Sequence, residues 1–216
     1  MKELLVKKIC IENVEVSDLP ILLDKEKVAF HSINEINWEA FPYHPSVIFR
    51  IAHTENALLL NYRVTEKSVR ARYRKDNEAV WTDACVEFFV IPGENNVYYN
   101  IECNCIGTIL LGSGVTRNER ERAPQNILSR IKRWSSLGRE SFEECIAECS
   151  WEVALIIPYS VFYRDNVFSL DGRTLRANFY KCGDELHEPH FLSWNAISSP
   201  KPNFHLPYFF GRLYFE

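Results

Sequence analysis

The chain has 216 residues and a net charge of −4, with 25 Lys and Arg against 29 Asp and Glu spread along its length. That balance excludes the basic footprint of a nucleic-acid binder, and the length suffices for a full core without disulfide staples. Aromatic residues make up 13 % of the chain, 14 Phe and 10 Tyr among them, which suits pleated strands better than helices.

The N-terminal residues Met1 to Cys10 carry only the short apolar run Leu4-Leu5-Val6. This is too short for a signal-peptide core, and no stretch of the chain is long enough to span a bilayer. As written, the sequence therefore reads as cytoplasmic, with a secreted or periplasmic location if a leader has been removed. Residues 46–53 and 57–64 read as strands joined by the turn Thr54-Glu55-Asn56. Residues 69–74 alternate strictly, and 84–91 form a dense apolar run closed by Pro92-Gly93. Strands over 95–105 and 107–111 follow. From 113 to 138, mixed charge and weak periodicity mark a long excursion, with one strand expected over 127–134. Its densest part, Arg117 to Arg122, mixes Arg with Glu and reads as a solvated loop. Strand character returns over 144–150 and 151–157, and Pro158 opens a short helical or turn segment over 159–163. Residues 174–182, 191–194 and 211–215 supply the last strands. Neither a linker nor a repeat interrupts the pattern. Many short strands with one or two short helical segments predict an all-β fold, an antiparallel β-sandwich of jelly-roll or immunoglobulin-like type. It is expected to form a single domain over 1–216.

Alternation also shows which side chains share a surface. Tyr99, Ile101, Cys103 and Cys105 face one way, and Tyr98, Asn100, Glu102 and Asn104 the other. Leu175, Ala177 and Phe179 oppose Arg176, Asn178 and Tyr180, while Glu87 shares a face with Cys85 and Phe89. A solvated outer face explains any one of these strands. Taken together, faces rich in Arg, Asn and Tyr suit a ligand bearing many hydroxyls, since amides and carboxylates each reach two neighbouring oxygens. The seven cysteines are an odd number, which argues against a disulfide framework and for buried thiols acting as small hydrophobes. Cys145 and Cys149, even with His187 and His190, lack the CxxC partner of a zinc site, so no metal is expected there.

Several motifs in one order resemble the family 9 carbohydrate-binding modules and their close relatives. Asn37-Trp38-Glu39-Ala40 is similar to the family's opening, and Trp81-Thr82-Asp83-Ala84-Cys85-Val86-Glu87-Phe88-Phe89 to its signature strand. Tyr99 to Asn104 with Gly107-Thr108, then the Trp-led segment from Trp151 to Pro158, continue the series. Arg176 to Tyr180, Ser193-Trp194, and Asn203-Phe204-His205 with Phe210-Gly211-Arg212-Leu213 close it. The match covers about 33–216. It implies a DOMON-like β-sandwich that binds sugar without catalysis, in relatives attached to xylanases and cellulases. The expected ligand is a terminal sugar or oligosaccharide of a plant-type xylan or glucan, in carbohydrate catabolism. In sugar-binding members two tryptophans sandwich a terminal ring. Trp81 matches the first, and Phe204 stands where the second is usual. The family's carboxylate falls on Glu87, and its following polar residue near Asn100, where Arg is common. With their face neighbours, the candidate ligand-binding residues are Trp81, Glu87, Asn100, Glu102, Arg176, Asn178, Phe204 and His205. No cofactor is implied beyond calcium, for which Asp83 is the candidate. Arg72 and Arg176 are alternative structural partners for Glu87.

Three other functions compete. A glycosidase needs two carboxylates flanking one bond, and the chain shows no nucleophile elbow, phosphate loop or HExxH. An enzyme is therefore not expected. Haem, held by some DOMON-type sandwiches, would lack its usual Met ligand because Met1 is the only methionine. A degenerate sandwich acting in protein contacts, or a glycoside-hydrolase accessory domain, is the strongest rival. No nucleic-acid or membrane partner is expected, and the oligomeric state is not readable.

Overall fold

The computed structural model describes residues 1–11 and 14–216. Two layers of sheet pack face to face and are joined at one corner. The first layer runs through Glu121–Arg122, Ile109–Gly114, Tyr98–Asn104, Cys85–Ile91, Thr174–Cys182 and Gly211–Phe215 to Glu3–Lys8. The second continues from Glu3–Lys8 through Ser46–His53, Ala57–Glu66 and Cys149–Pro158 to Lys132–Ser135. The corner strand pairs first with the C-terminal strand, Leu4 opposite Leu213, and then with the second layer, Lys7 opposite Ala52. Both of its pairings are parallel, whereas the long neighbours on either side are antiparallel. The all-β sandwich is thus a curled mixed sheet rather than a purely antiparallel one. The partners of Glu3–Lys8 are distant in sequence, so no tight turn dictates its direction. The Leu4-Leu5-Val6 run proves to be strand: Leu4 and Val6 are buried, and Leu5 between them is exposed.

Period-2 alternation builds the main core. Val47, Phe49 and Ile51, with Leu58, Leu60 and Tyr62, face Val86, Phe88 and Val90 across the layers. Phe49 stacks on Phe179 with ring centroids 3.8 Å apart. Each such fully buried side chain contributes roughly 1.5–3 kcal/mol. The Tyr62 hydroxyl crosses the layers to donate to the carbonyl of Glu87 at 2.9 Å. Lys181 also points inward, where its ammonium meets Glu66 at 2.9 Å and His190 at 2.7 Å. Trp151 donates to the second Glu66 oxygen at 2.6 Å. Burial and the adjacent Lys181 hold His190 well below the usual imidazole range, so it accepts from the lysine.

Residues 127–134 do not form one strand. Pro124 precedes a helical turn, Gln125–Leu128, that buries Ile127 and Leu128 consecutively, and the strand is shortened to Lys132–Ser135. The expected strand over 144–150 is split. Phe142–Cys145 pairs with Val69–Ala71 in a separate two-stranded sheet, and Cys149 begins the long strand. No helix among the described residues is long and apolar enough to cross a membrane.

The outer face of the first layer is not solvated, as an ordinary sheet face would be. The segments around Trp38 and from Phe191 to Phe210 fold back over it and form a second core. This core joins Trp38, Phe89, Tyr98, Tyr180, Phe204 and Phe210. The Trp38 indole donates to Ser199 at 2.9 Å, tying the two covering segments together.

Candidate functional site

The cover leaves one gap over the signature strand, and a cavity of about 150 Å³ opens there. Its floor is made by Glu87 and Glu102, which lie directly opposite one another on neighbouring strands. Both side chains share the outer face and are almost fully buried, at 3 % and 4 % exposure. Asn100 lies two residues along the same strand and donates to Glu102 Oε1 at 2.8 Å. Its own pair is Gly112, where a Cβ would come within 2.7 Å of Asn100 Oδ1, so the missing side chain is what admits the amide. Glu102 Oε2 and Asn100 Oδ1 are buried without a hydrogen-bond partner. Such orphaned acceptors cost about 1–3 kcal/mol each and mark a place where a donor is wanted.

Burial governs the charges of the floor. It pushes the Glu102 carboxyl up to about 7, against the pull of Asn100, Arg120 and Arg122. Burial, reinforced by neighbouring Glu102, drives Glu87 well above the carboxylate range, although the Cys182 thiol donates to it at 3.0 Å. Both effects favour the protonated, neutral form of Glu87. Asp184, at the cavity edge, is raised to about 6, again by burial.

The rim is aromatic and the wall basic. Trp81 stands half-buried on the turn Val80–Thr82, and its carbonyl accepts from Asp184 N at 3.2 Å. The turn is anchored by Asp83, whose carboxylate accepts from the amides of Arg72 and Tyr73, from Asn104 and from Arg70. With so many donors already on it, Asp83 acts as a brace for the turn that carries Trp81. Phe204 lines the cavity but is only 8 % exposed, because it stacks on Tyr180 at 4.2 Å. Half-buried Phe191 adds a third ring. Arg117, Arg120 and Arg122 line the opposite side, with the Arg122 guanidinium 5.7 Å from the Trp81 ring centre. His205 meets the Tyr98 hydroxyl at 3.1 Å. Burial, then repulsion from the three arginines, depresses it to about 2, so it stays neutral.

Five of the eight residues singled out from the sequence, Trp81, Glu87, Glu102, Phe204 and His205, come together around this cavity. Asn100 lies beneath it and reaches it through Glu102. Arg176 and Asn178 do not belong to the site. Exposed Arg176 donates to the Pro207 carbonyl, away from the floor. Asn178 is buried under the covering segment, donating to Asn195 O and accepting from Asn195 N, each at 2.9 Å. Neither Arg72 nor Arg176 pairs with Glu87; Arg72 turns outward to Glu143. The arginine run is the main surprise. Glu121–Arg122 adds an edge strand beside Ile109–Gly114, with Arg122 opposite Gly112. Arg120 and Arg122, two residues apart, thus border the cavity and the intervening Glu121 does not, although Arg122 is itself largely exposed.

Among the described residues, Cys85, Cys182 and Glu87 bring three metal-capable atoms within 4.8 Å of one another. Burial raises the Cys85 thiol to about 12, and Cys182 also upward, so both hold their protons. As arranged, the cluster is a hydrogen-bonded support under the floor. Burial as small hydrophobes describes Cys85, Cys103, Cys105 and Cys182, whereas Cys10 and Cys145 are exposed and Cys149 is half-buried. Cys10 lies just past the corner strand, Cys145 ends the short strand Phe142–Cys145, and Cys149 starts Cys149–Pro158.

The site is thus a polar, closed-bottom pocket rimmed by rings on one face of a β-sandwich. The model of carbohydrate-binding family 9 matches residues 17–215, and the chain belongs to that family. It is similar to a crystal structure of a candidate carbohydrate-binding protein from Bacteroides uniformis ATCC 8492. The two share 51 % identity at a TM-score of 0.97, over 100 % of this chain and 99 % of the other. It also shares its fold with a family 9 module from Caldicellulosiruptor kristjanssonii in complex with cellotriose. That match has 12 % identity and a TM-score of 0.63, over 100 % of this chain and 94 % of that one. A glucose complex of a family 9 module from the same organism matches at 14 % identity and a TM-score of 0.60, over 100 % and 96 %. No curated protein matches the chain.

Proposed function

We propose that the protein binds the terminal ring of a glycan in the Trp81 pocket and carries out no chemistry on it. The observation that carries this reading is the pairing of an orphaned buried acceptor on the floor, Glu102 Oε2, with aromatic faces at the rim. Sugar hydroxyls can donate to the first, and the C–H face of a pyranose rests on the second. A volume of about 150 Å³, against roughly 300–1,000 Å³ for drug-sized ligands, suits one ring better than a threaded chain. The cellotriose and glucose held by the C. kristjanssonii modules support a glucan or xylan end as the ligand.

Two features speak against catalysis. Glu87 and Glu102 lie side by side on one floor rather than on either side of a bond. The chain also shows no nucleophile elbow, phosphate loop or HExxH. A titration followed by tryptophan fluorescence and NMR shifts, against glucose, xylose and their oligosaccharides at millimolar concentration, tests the reading. Saturable binding lost in a folded Trp81→Ala variant is expected. Silence across neutral and acidic sugars alike would transfer the pocket to protein recognition.

A further inference from the structure

Most buried arginines of this protein have an acid of their own: Arg50 pairs with Asp24, Arg70 with Asp83 and Arg133 with Asp76. Half-buried Arg120 and exposed Arg117 and Arg122 have none, although all three line one small cavity that also contains three acids. Arg120 Nη1 is buried without any partner, and its Nε donates only to the Arg117 carbonyl. Three guanidinium groups converging without counter-charges repel one another. They do so here against a floor whose acids sit in their own layer and form no ion pair with them, among the described residues.

We infer that the pocket selects an acidic sugar, a pyranose bearing a carboxylate such as a hexuronate, with the arginine wall receiving the carboxylate and Glu102 on the floor, held by Asn100 beneath it, receiving the ring hydroxyls. This rests on the sugar-binding reading of the same pocket and names the ligand class within it. A guanidinium matches a planar carboxylate in bidentate fashion. The acids of the floor do not cancel the wall: neither Glu87 nor Glu102 forms an ion pair with it, and burial favours the neutral form of Glu87 and raises Glu102 to about 7. What negative charge remains, on Asp184 and part of Glu102, disfavours a dianion more than a monoanion. That favours a carboxylate over a phosphate ester. Trp81 keeps its role as the platform for the ring, with Arg122 poised over its face.

The test is calorimetric titration of the full chain with glucuronate and galacturonate beside glucose, galactose and xylose, at low and high salt. A hexuronate is expected to bind about tenfold or more tightly than its neutral counterpart, with the advantage shrinking as salt rises. Arg120→Gln removes the charge at a half-exposed side chain that holds no ion pair, and is expected to bring the acidic-to-neutral ratio close to one. Equal affinity for acidic and neutral sugars in the natural protein would overturn the inference and leave the sugar-binding reading standing. Tighter binding of a sulfated or phosphorylated monosaccharide would overturn the carboxylate assignment. A failure of every sugar to bind a folded protein removes both readings at once.

Discussion

Glu102→Gln separates what the floor does for stability from what it does for ligand. Burial lifts the Glu102 carboxyl from its ordinary 4.5 to about 7 in the folded protein. Between those values the folded chain holds a proton that the unfolded chain has released. Stability is therefore greatest below pH 4.5 and falls as pH rises through 7. At about 1.4 kcal/mol per pH unit, the full loss is roughly 3 kcal/mol once both states are ionised. Glutamine imitates the protonated acid: it keeps an oxygen for the Asn100 amide and carries no charge. Denaturant unfolding at pH 5 and pH 8 should show the two proteins within about 1 kcal/mol at the lower pH. At the higher pH the variant should be more stable by about 3 kcal/mol, which is a rise of roughly 6–12 °C in Tm for a chain of this length. Sugar binding should weaken in the same variant, because a carboxylate acceptor becomes an amide. A stability difference that does not change with pH would refute the reasoning. It would mean that Glu102 is hydrated and ionised in the folded state.

Trp81→Ala is expected to reduce sugar affinity by about tenfold or more, since an aromatic face in contact is worth roughly 1.5–3 kcal/mol. Unfolding should shift little because Trp81 is half-buried; loss of affinity only in step with loss of fold would count against a platform role. Lys181→Met leaves the Glu66 carboxylate buried beside His190 and should cost about 3–5 kcal/mol in denaturant unfolding. Adding Glu66→Gln should recover at least half of that loss, and a single variant as stable as the natural protein would contradict the ion pair. Gly112→Ala forces a methyl to within 2.7 Å of Asn100 Oδ1, and overpacking of this kind costs about 1–3 kcal/mol. NMR shifts should move at Glu102 and the ligand affinity should fall, whereas an unchanged Asn100 resonance would show that the pocket floor has room to spare.

Much of this architecture can be read from alternation alone. Tyr99, Ile101 and Cys103 do face the core, and Glu87 and Glu102 do share the opposite face, because a pleated strand permits no other arrangement. Alternation assigns a face but not a position along it. Arg176 and Asn178 share the outer face with Glu87 yet lie under or beyond the covering segment. Nothing local to 174–182 could indicate that residues 191–210 return over it. Lys181 was unreadable for a similar reason: its charge fits the core only because Glu66, from the other layer, is waiting there. The arginine run had a visible clue in the spacing of Arg120 and Arg122. Mixed charge masked it, since the accompanying Glu119 and Glu121 suggested a self-neutralising surface. The family motifs pointed to Trp81 and Glu87 and were silent on the basic wall.

The corner strand has a bearing on how the molecule is made. Glu3–Lys8 lies about 200 residues before its partner in the first layer, Gly211–Phe215, and the backbone of Glu216 still reaches back to Val6 at 3.1 Å. The two layers can be sealed only when these distant segments meet, so this seam has a high contact order and closes late. Until then Gly211–Phe215 has an unpaired margin in the first layer, the kind of edge that invites another chain. The Trp81 pocket lies away from this seam, with its floor on Cys85–Ile91 and Tyr98–Asn104 and its cover in the segment that precedes the last strand. A chain clipped within Gly211–Phe215 would therefore keep its pocket residues and lose the seam, and would be prone to aggregate through the open edge.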